Sequence, residues 1–379
     1  LAPHKRRRGA LAAADNAADA KDESSVSSRT LPGGFRAVIE IDGAHGEGGG
    51  QLVRTAVSLA AVRGVPVRIV NIRARRRVPG LAAQHAAAVR AVAALCDARC
   101  DGVDVRSTSL TFAPGRLHGG EFAIDVGTAG SITLVLQAML PAAMASGERV
   151  AVTMRGGTDV PAAPPLDYTR WVLLPLLARL GVSAELAIAR RGYYPKGGGE
   201  VTLVLQPVSR LAAFDEPTLG ALTAIEIRSH VTRLAREIAL RMEGAARAGL
   251  APAPPVDAAI EVCDPRFALG PGGAIVLRAL SAATVLGSAQ VAERGVRAER
   301  LGQTAARVLM HDVHCGATLD LHAADQMLVF LAMARGESVF RASSVTSHAA
   351  TAMWLLQRLT PVRFDVQPTA QGVFVRVRP

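Results

Sequence analysis

Lysine is almost absent from this chain. Lysine and arginine together number 43, yet only Lys5, Lys21 and Lys196 are lysines. A nucleotidyl-transferring ligase with a lysine nucleophile uses a K-x-D-G motif, and none of the three lysines has it. Aromatic residues are also scarce, at 4%. A simple single-strand RNA-binding module stacks bases on aromatic platforms, so this composition argues against one. The four cysteines, Cys96, Cys100, Cys263 and Cys315, are scattered without a C-x-x-C pair. That excludes a disulfide framework and leads us to expect free thiols in a reducing compartment. His311, His314 and Cys315 lie close together, but no fourth ligand has the spacing of a zinc site. No apolar run reaches the ~18 residues of a membrane span, and no secretory signal is recognisable.

What is present is a long, apolar, basic chain. It has 379 residues, half of them hydrophobic, and a formal charge of +11. That is enough for a large core and two domains. An arginine-rich surface favours polyanions such as RNA, although the arginine codons of a GC-rich genome would give the same charge. Residues 1–36 hold KRRR at Lys5–Arg8, an Ala/Asp stretch and SSVSSRTLPGG. They read as a disordered basic tail. KRRR suits a nuclear signal, an RNA-touching arm or a solvated tail equally.

The body repeats itself. Three segments each hold a tight turn, an apolar helix, a short strand and a second apolar helix. They begin at EGGGQLVRTAVSLAAVRG, GTAGSITLVLQAMLPAAMASG and HAADQMLVFLAMARG. Each runs on into a strand pair: VDVRS with LTFAP, AELAIA with EVTLVLQ, and VRFDVQP with VFVRVRP. A further strand precedes each, at FRAVIEID, GGEFAIDV and ATLDLH. The expected unit is βαβαββ three times over, an α/β (α+β) fold with two helices on one face of each four-stranded sheet. The second and third units are separated by a different pattern, including an amphipathic run over Val231–Ala248 and a helix near Ala298–Met310. We expect repeats one and two over 37–217, an inserted α/β domain over 218–313 and repeat three over 314–379.

Symmetric units bring the starts of their helices together, so the polar residues there are the candidate site. They are Glu47, Gln51 and Arg54, then Gln137, then Asp325 and Gln326, with Arg73–Arg77, Asp159 and His348 in the loops after the strands. The run IDGAHGEGGGQ brings backbone N–H groups close to a ligand at a helix start, an arrangement that suits phosphate. Glu47 inside it would repel phosphate unless a cation lay between. RARRR at Arg73–Arg77 has the guanidinium groups of a phosphate clamp. His348 opens a helix whose positive end favours neutral, nucleophilic imidazole.

The chain resembles the RNA 3′-terminal phosphate cyclases. The resemblance covers 37–379 and rests on IDGAHGEGGGQLVRTAVSLA, IRARRRVPGLAAQH, GTAGSITLVLQ, GGTDVPAAPP, RRGYYPKGGGEV, HAADQ and SHAATAMW, in that order. RGYYPKGGGEV and GGTDVPAAPP are its most specific stretches. The resemblance implies three repeats like the C-terminal domain of translation initiation factor three, with a smaller insertion. It also implies a three-step reaction. A histidine takes AMP from ATP and passes it to the 3′-phosphate of RNA. The neighbouring 2′-OH then closes a 2′,3′-cyclic phosphate. On the same ground His348 is the nucleophile and Glu47 the ligand of Mg²⁺ or Mn²⁺. Arg54, Arg73, Arg76, Gln84 and Gln137 fall near the phosphates or the RNA end. Pro164, His322, Asp325 and Gln326 fall near the nucleotide.

Two positions depart from the family pattern: His45, commonly glutamine, and His322, where some members stack a tyrosine on adenine. Two enzyme-free readings compete, a cyclase-like scaffold in ribosome assembly and a plain basic RNA-binding module. An enolpyruvyl transferase of similar repeats is a third. His348 at the nucleophile position separates the enzyme from the scaffold. RNA carrying a 3′-phosphate is the expected partner and no membrane is. A cytoplasmic site is expected, or a nuclear one if KRRR acts as a signal; monomer and homodimer stay equally open.

Overall fold

The computed structural model describes residues 38–250 and 254–379. The basic tail, the start of FRAVIEID and the first three residues of APAPP at Ala251–Pro255 lie outside them.

Strand β1 (Ile39–Asp42) leads through the glycine loop into α1 (Gly50–Arg63), then β2 (Val67–Val70), α2 (Ala83–Ala94), β3 (Arg99–Asp101) and β4 (Leu110–Ala113). The α1 positions Leu52, Val53, Ala56, Val57, Leu59 and Ala60 are all buried, the 3.6-residue stripe read from the sequence. Gly64, at φ 61°, ends the helix in the left-handed conformation that glycine adopts freely. The next run gives β5 (Gly120–Asp125), α3 (Ile132–Ala145) and β6 (Val150–Gly156). Then come α4 (Leu166–Tyr168), α5 (Leu174–Arg179), β7 (Ala184–Arg190) and β8 (Gly199–Leu205). A π-helical turn over Thr169–Leu173 joins α4 to α5. Pro175, which follows it, has no N–H to donate, and the wider turn relieves the clash of its ring.

These two runs make sheets of equivalent order, β1-β2-β4-β3 and β5-β6-β8-β7. In both the first pair is parallel and the other two are antiparallel. The expected strand VDVRS is displaced to Arg99–Asp101. Gly102 at φ 76° ends it, and in the loop that follows Arg106 donates to the Leu81 carbonyl while Leu81 donates to the Ser107 carbonyl.

Four strands and two helices come next: β9 (Leu222–Thr232), α6 (Arg236–Gly249), β10 (Val256–Cys263), β11 (Gly272–Ser281), β12 (Val285–Val291) and α7 (Ala298–His314). Their sheet runs β10-β9-β11-β12 and has its own apolar core, including Ile227, Met242, Leu277 and Leu309. The amphipathic run starts as strand, because β9 continues to Thr232. Gly302 lets α7 press on α6; a Cβ there would lie 2.0 Å from the Met242 carbonyl oxygen.

The chain closes with α8 (Leu321–Met333), β13 (Ser338–Ala342), α9 (Ser347–Leu359), β14 (Arg363–Thr369) and β15 (Gly372–Arg378), in a sheet ordered β13-β15-β14. ATLDLH is not its first strand. Asp320 turns that segment into α8 by accepting the His322 and Ala323 N–H groups. The place beside β13 is taken by residues 212–216, which lie ahead of β9. Ala212 and Asp215 bridge in parallel to Arg335 and Val339. Val339 donates to the Phe214 carbonyl at 2.7 Å and Glu216 to the Val339 carbonyl at 3.0 Å. Helices α1, α2, α3, α8 and α9 pack on one another behind the sheets.

Asp320 also ties β12 to this body. Its carboxylate accepts the Tyr168 hydroxyl at 2.7 Å and the Gly287 N–H at 2.8 Å, both buried. Phe214, 2% exposed, anchors the segment beside β13. Phe214→Ala should cost about 3–5 kcal/mol in urea denaturation, with faster hydrogen exchange at Val339.

Candidate active site

The starts of α1, α8 and α9 and the first turns of α3 face one cavity of about 680 Å³. Every residue to which the resemblance gives a role lines it: Glu47, Arg54, Arg73, Arg76, Gln84, Gln137, Pro164, His322, Asp325, Gln326 and His348.

The glycines of the first loop make room. Gly46 and Gly48 have φ near 60°, which lets the chain double back. A Cβ on Gly49 would lie 2.0 Å from the Glu47 carboxylate, and one on Gly50 only 1.9 Å from Nε2 of His85. Helices α3, α8 and α9 are capped by the side chains of Ser131, Asp320 and Thr346. Helix α1, with Gly49 at its cap, has no side-chain cap and no acidic residue in its first turn. Its free amides and positive end therefore face the cavity as an anion site.

Glu47 sits at the hub. Its backbone N–H donates to the Thr351 hydroxyl at 3.1 Å, its carboxylate pairs with Arg76, and His348 Nδ1 lies 3.8 Å from it. Burial depresses His348 below the ordinary 6.5; Asp325 opposes this, while Arg54, Arg76 and His322 reinforce it. The imidazole is thus neutral at physiological pH. Thr346 caps α9 by accepting the Ala349 N–H and donates its own proton to Asp325 at 2.6 Å. One hydroxyl so fixes both the helix that carries His348 and the carboxyl beside it. Burial raises the Asp325 carboxyl, against the pull of that bond, His348 and His322.

Arg54 is buried and makes no ion pair among the described residues; burial alone lowers it to about 10. A buried, unpaired guanidinium is costly unless an anion joins it. Arg73, at φ 54°, donates to the Gly80 carbonyl at 2.7 Å. Of the RARRR run only Arg73 and Arg76 reach the cavity; Arg75 and Arg77 do not line it. Gln84 accepts the Ser131 N–H at 3.1 Å, and Gln137 donates to Gln326 at 2.9 Å. His322 stands edge-on to Tyr168, ring centres 6.1 Å apart.

One residue of the helix-start and loop set behaves otherwise, and other lining residues were missed. Asp159 turns away from the cavity and is buried against Arg191 and His230. His85 was missed, although it follows Gln84 directly. Its Nδ1 accepts the Ala82 N–H at 3.1 Å, so Nε2 carries the proton; burial, Arg54 and Arg73 depress it to about 3. His45 stacks on Trp354 at 3.7 Å outside the cavity lining. Lys196 also lies outside that lining. Gln290, at the end of β12, and Glu293, just after it, do reach it.

A cavity walled by helix amides, unpaired arginine and a neutral histidine is that of a phosphate-handling enzyme. The model of the family "RNA 3'-terminal phosphate cyclase" matches residues 45–366. The chain is 50% identical over 340 residues to the RNA 3'-terminal phosphate cyclase of Nitrosospira multiformis, covering 90% of this chain and 96% of that one. It is 43% identical over 350 residues to the protein of that name from Methanopyrus kandleri, covering 90% and 99%. A solved enolpyruvyl transferase, NikO from Streptomyces tendae, aligns with a TM-score of 0.37 and 13% identity, over 90% of this chain and 48% of that chain. That likeness is too weak to define a fold or an activity. The chain belongs to the RNA 3′-terminal phosphate cyclase family.

Two outcomes test this geometry. Because burial holds His348 below 6.5, its imidazole should titrate below that pH when followed by NMR. Arg76→Ala removes a cation that lowers it, and should move that midpoint upward. Gly50→Ala forces a methyl group onto buried His85 and should cost about 1–3 kcal/mol by thermal denaturation, with the cavity's reactivity lost.

Proposed function

We propose that this cavity carries out the family's reaction with His348 as the nucleophile. The reaction is the ATP-dependent conversion of an RNA 3′-terminal phosphate to a 2′,3′-cyclic phosphate, through histidine–AMP and an adenylylated RNA end. The observation that carries the assignment is the neutral His348 at the start of α9, facing buried, unpaired Arg54 and the uncapped start of α1 across one cavity.

The Glu47 carboxylate near Nδ1 favours a proton on that nitrogen and leaves the Nε2 lone pair for attack. Nε2 forms a bond to the α-phosphorus of ATP, and the bond to the pyrophosphate oxygen breaks. Arg54 and the α1 amides stabilise charge on the phosphate oxygens. Arg73, Arg76 and Gln84 hold the RNA phosphate that next takes AMP. Its neighbouring 2′-oxygen then closes the ring and AMP leaves. Pro164, His322, Asp325, Gln326 and Gln137 form the nucleotide wall. His322 offers a smaller stacking face than tyrosine.

The residues fit Mg²⁺ or Mn²⁺. Mg²⁺ commonly binds one or two carboxylates together with substrate phosphates, and Glu47 is one such carboxylate beside the phosphate-binding groups. The ion neutralises phosphate charge when bound, and Arg76 holds the Glu47 carboxylate otherwise.

We also read the fold as three βαβαββ repeats of the kind in the C-terminal domain of translation initiation factor three. The third is interrupted after its first strand, residues 212–216, by the β9–α7 insertion. RNA is the macromolecular partner.

Incubation with α-labelled ATP and Mg²⁺ should give acid-labile, alkali-stable label on the protein, and 3′-phosphorylated RNA should become cyclic. His348→Ala should abolish both. A folded parent that takes no label under varied metal and nucleotide would point to an RNA-binding scaffold.

A further inference from the structure

Among the described residues only two phenylalanine, tyrosine or tryptophan side chains are exposed, Tyr194 at 68% and Phe267 at 51%. Both occur on one ridge. Tyr194 belongs to RGYYPKGGGEV, one of the two most specific stretches of the resemblance, to which the chemistry above gives no task. Phe267 belongs to the segment between β10 and β11.

The two segments are clamped together. The Arg191 N–H donates to the Phe267 carbonyl at 2.8 Å, and the Arg233 guanidinium to the Ala268 carbonyl at 2.9 Å. Leu269, itself exposed, covers Gly198, where a Cβ would lie 2.3 Å from it. Beneath, the Arg191 guanidinium is buried between Asp167 at 2.9 Å and Asp159 at 3.5 Å. The Tyr193 hydroxyl meets the Thr232 hydroxyl at 3.0 Å. The ridge therefore has a rigid, ion-paired base and an apolar crest.

The crest is also cationic. Lys196, the only lysine in the described residues, is exposed beside Tyr194 and makes no ion pair there. Its side chain runs along Gly270. Arg233 is exposed at the crest's other side.

The ridge is continuous with the cavity. Gly197 packs on Ala129, with a Cβ position 2.8 Å from the Ala129 Cα. Gly130, next in that loop, lies against the Gln84 side chain, and Ser131 donates to Gln84. Gln84 and Gly197 thus both touch the small-residue loop Gly127–Gly130. Exposed rings with interleaved cations are the platform on which single strands stack.

We propose that RNA upstream of the reactive 3′ end leaves the cavity over Gly127–Gly130 and lies on this ridge. Bases stack on Tyr194 and Phe267, and phosphates lie near Lys196 and Arg233. This rests on the cavity being the RNA 3′-end site. It gives the enzyme a grip on the strand that is separate from its grip on the terminal phosphate.

The test compares 3′-phosphorylated oligoribonucleotides of about 4 and about 16 nucleotides, the range of single-strand sites. For Tyr194→Ala/Phe267→Ala, KM for the long substrate should rise about tenfold with kcat unchanged. KM for the short one and formation of protein–AMP should stay at the parent's values. Lys196→Ala should make the salt dependence of long-RNA binding shallower by about 0.7 in log–log slope. A 4-thiouridine placed upstream of the end should crosslink within 191–199 or 264–270. Equal KM for both lengths in parent and variants, or crosslinks elsewhere, overturns the ridge, as would happen if it served a protein partner instead. Failure of the parent to form protein–AMP or to cyclise the short substrate would instead sink the reading of the cavity.

Discussion

The Glu47 carboxylate is the contact on which the site's arrangement turns. It has to stand in a loop that also offers backbone amides to phosphate, and only an absence of side chains allows both. Gly49 leaves the space it fills, and Gly50 leaves space for His85 behind it. From there it reaches Arg76 on the loop after β2 and His348 on α9, while its own N–H holds Thr351 of α9. Residues about 300 positions apart in the chain, counted from Glu47 to His348 and Thr351, are thereby joined at one point.

Charge in the cavity is deliberately unbalanced. Arg54 is buried without a carboxylate, and α1 starts without a cap. Both features cost stability in the free protein and are relieved by a bound phosphate. The acidic groups nearby are committed elsewhere: Asp320 to Tyr168, Gly287 and the start of α8, and Asp325 to Thr346. Asp159 and Asp167 are committed to Arg191. His230 of β9 meets both carboxylates, at 3.8 and 3.2 Å, so β9 braces the segment that bears Pro164.

Much of this was legible in the sequence, because helix starts announce themselves. Apolar stripes with 3.6-residue spacing placed α1, α3, α8 and α9, and the polar residues around their starts gave Glu47, Arg54, Gln137, Asp325 and His348. What escaped were places where local pattern yields to distant pairing. ATLDLH alternates like a strand, but Asp320 caps a helix there. The strand place went to residues 212–216, separated from β13 in sequence by β9 through α8. VDVRS lost its pairing to a glycine at φ 76°. Asp159 looked like a loop carboxylate facing substrate because nothing local reveals Arg191 behind it. The low aromatic content suggested that no stacking platform existed, yet composition does not say where rings are exposed; among the described residues the two exposed ones lie on segments that bond each other.

Three histidines line the cavity, His85, His322 and His348, and the account holds that environment selects the last. His85 is buried with one nitrogen used and its proton on the other. His322 stands edge-on to Tyr168. His348 alone joins a helix start to the Glu47 carboxylate. Fragmentation mass spectrometry of the protein after reaction with ATP and Mg²⁺, handled at alkaline pH, locates the adduct directly. AMP on His348 is the predicted result. AMP on His85 or His322, with His348 unmodified, would contradict the account.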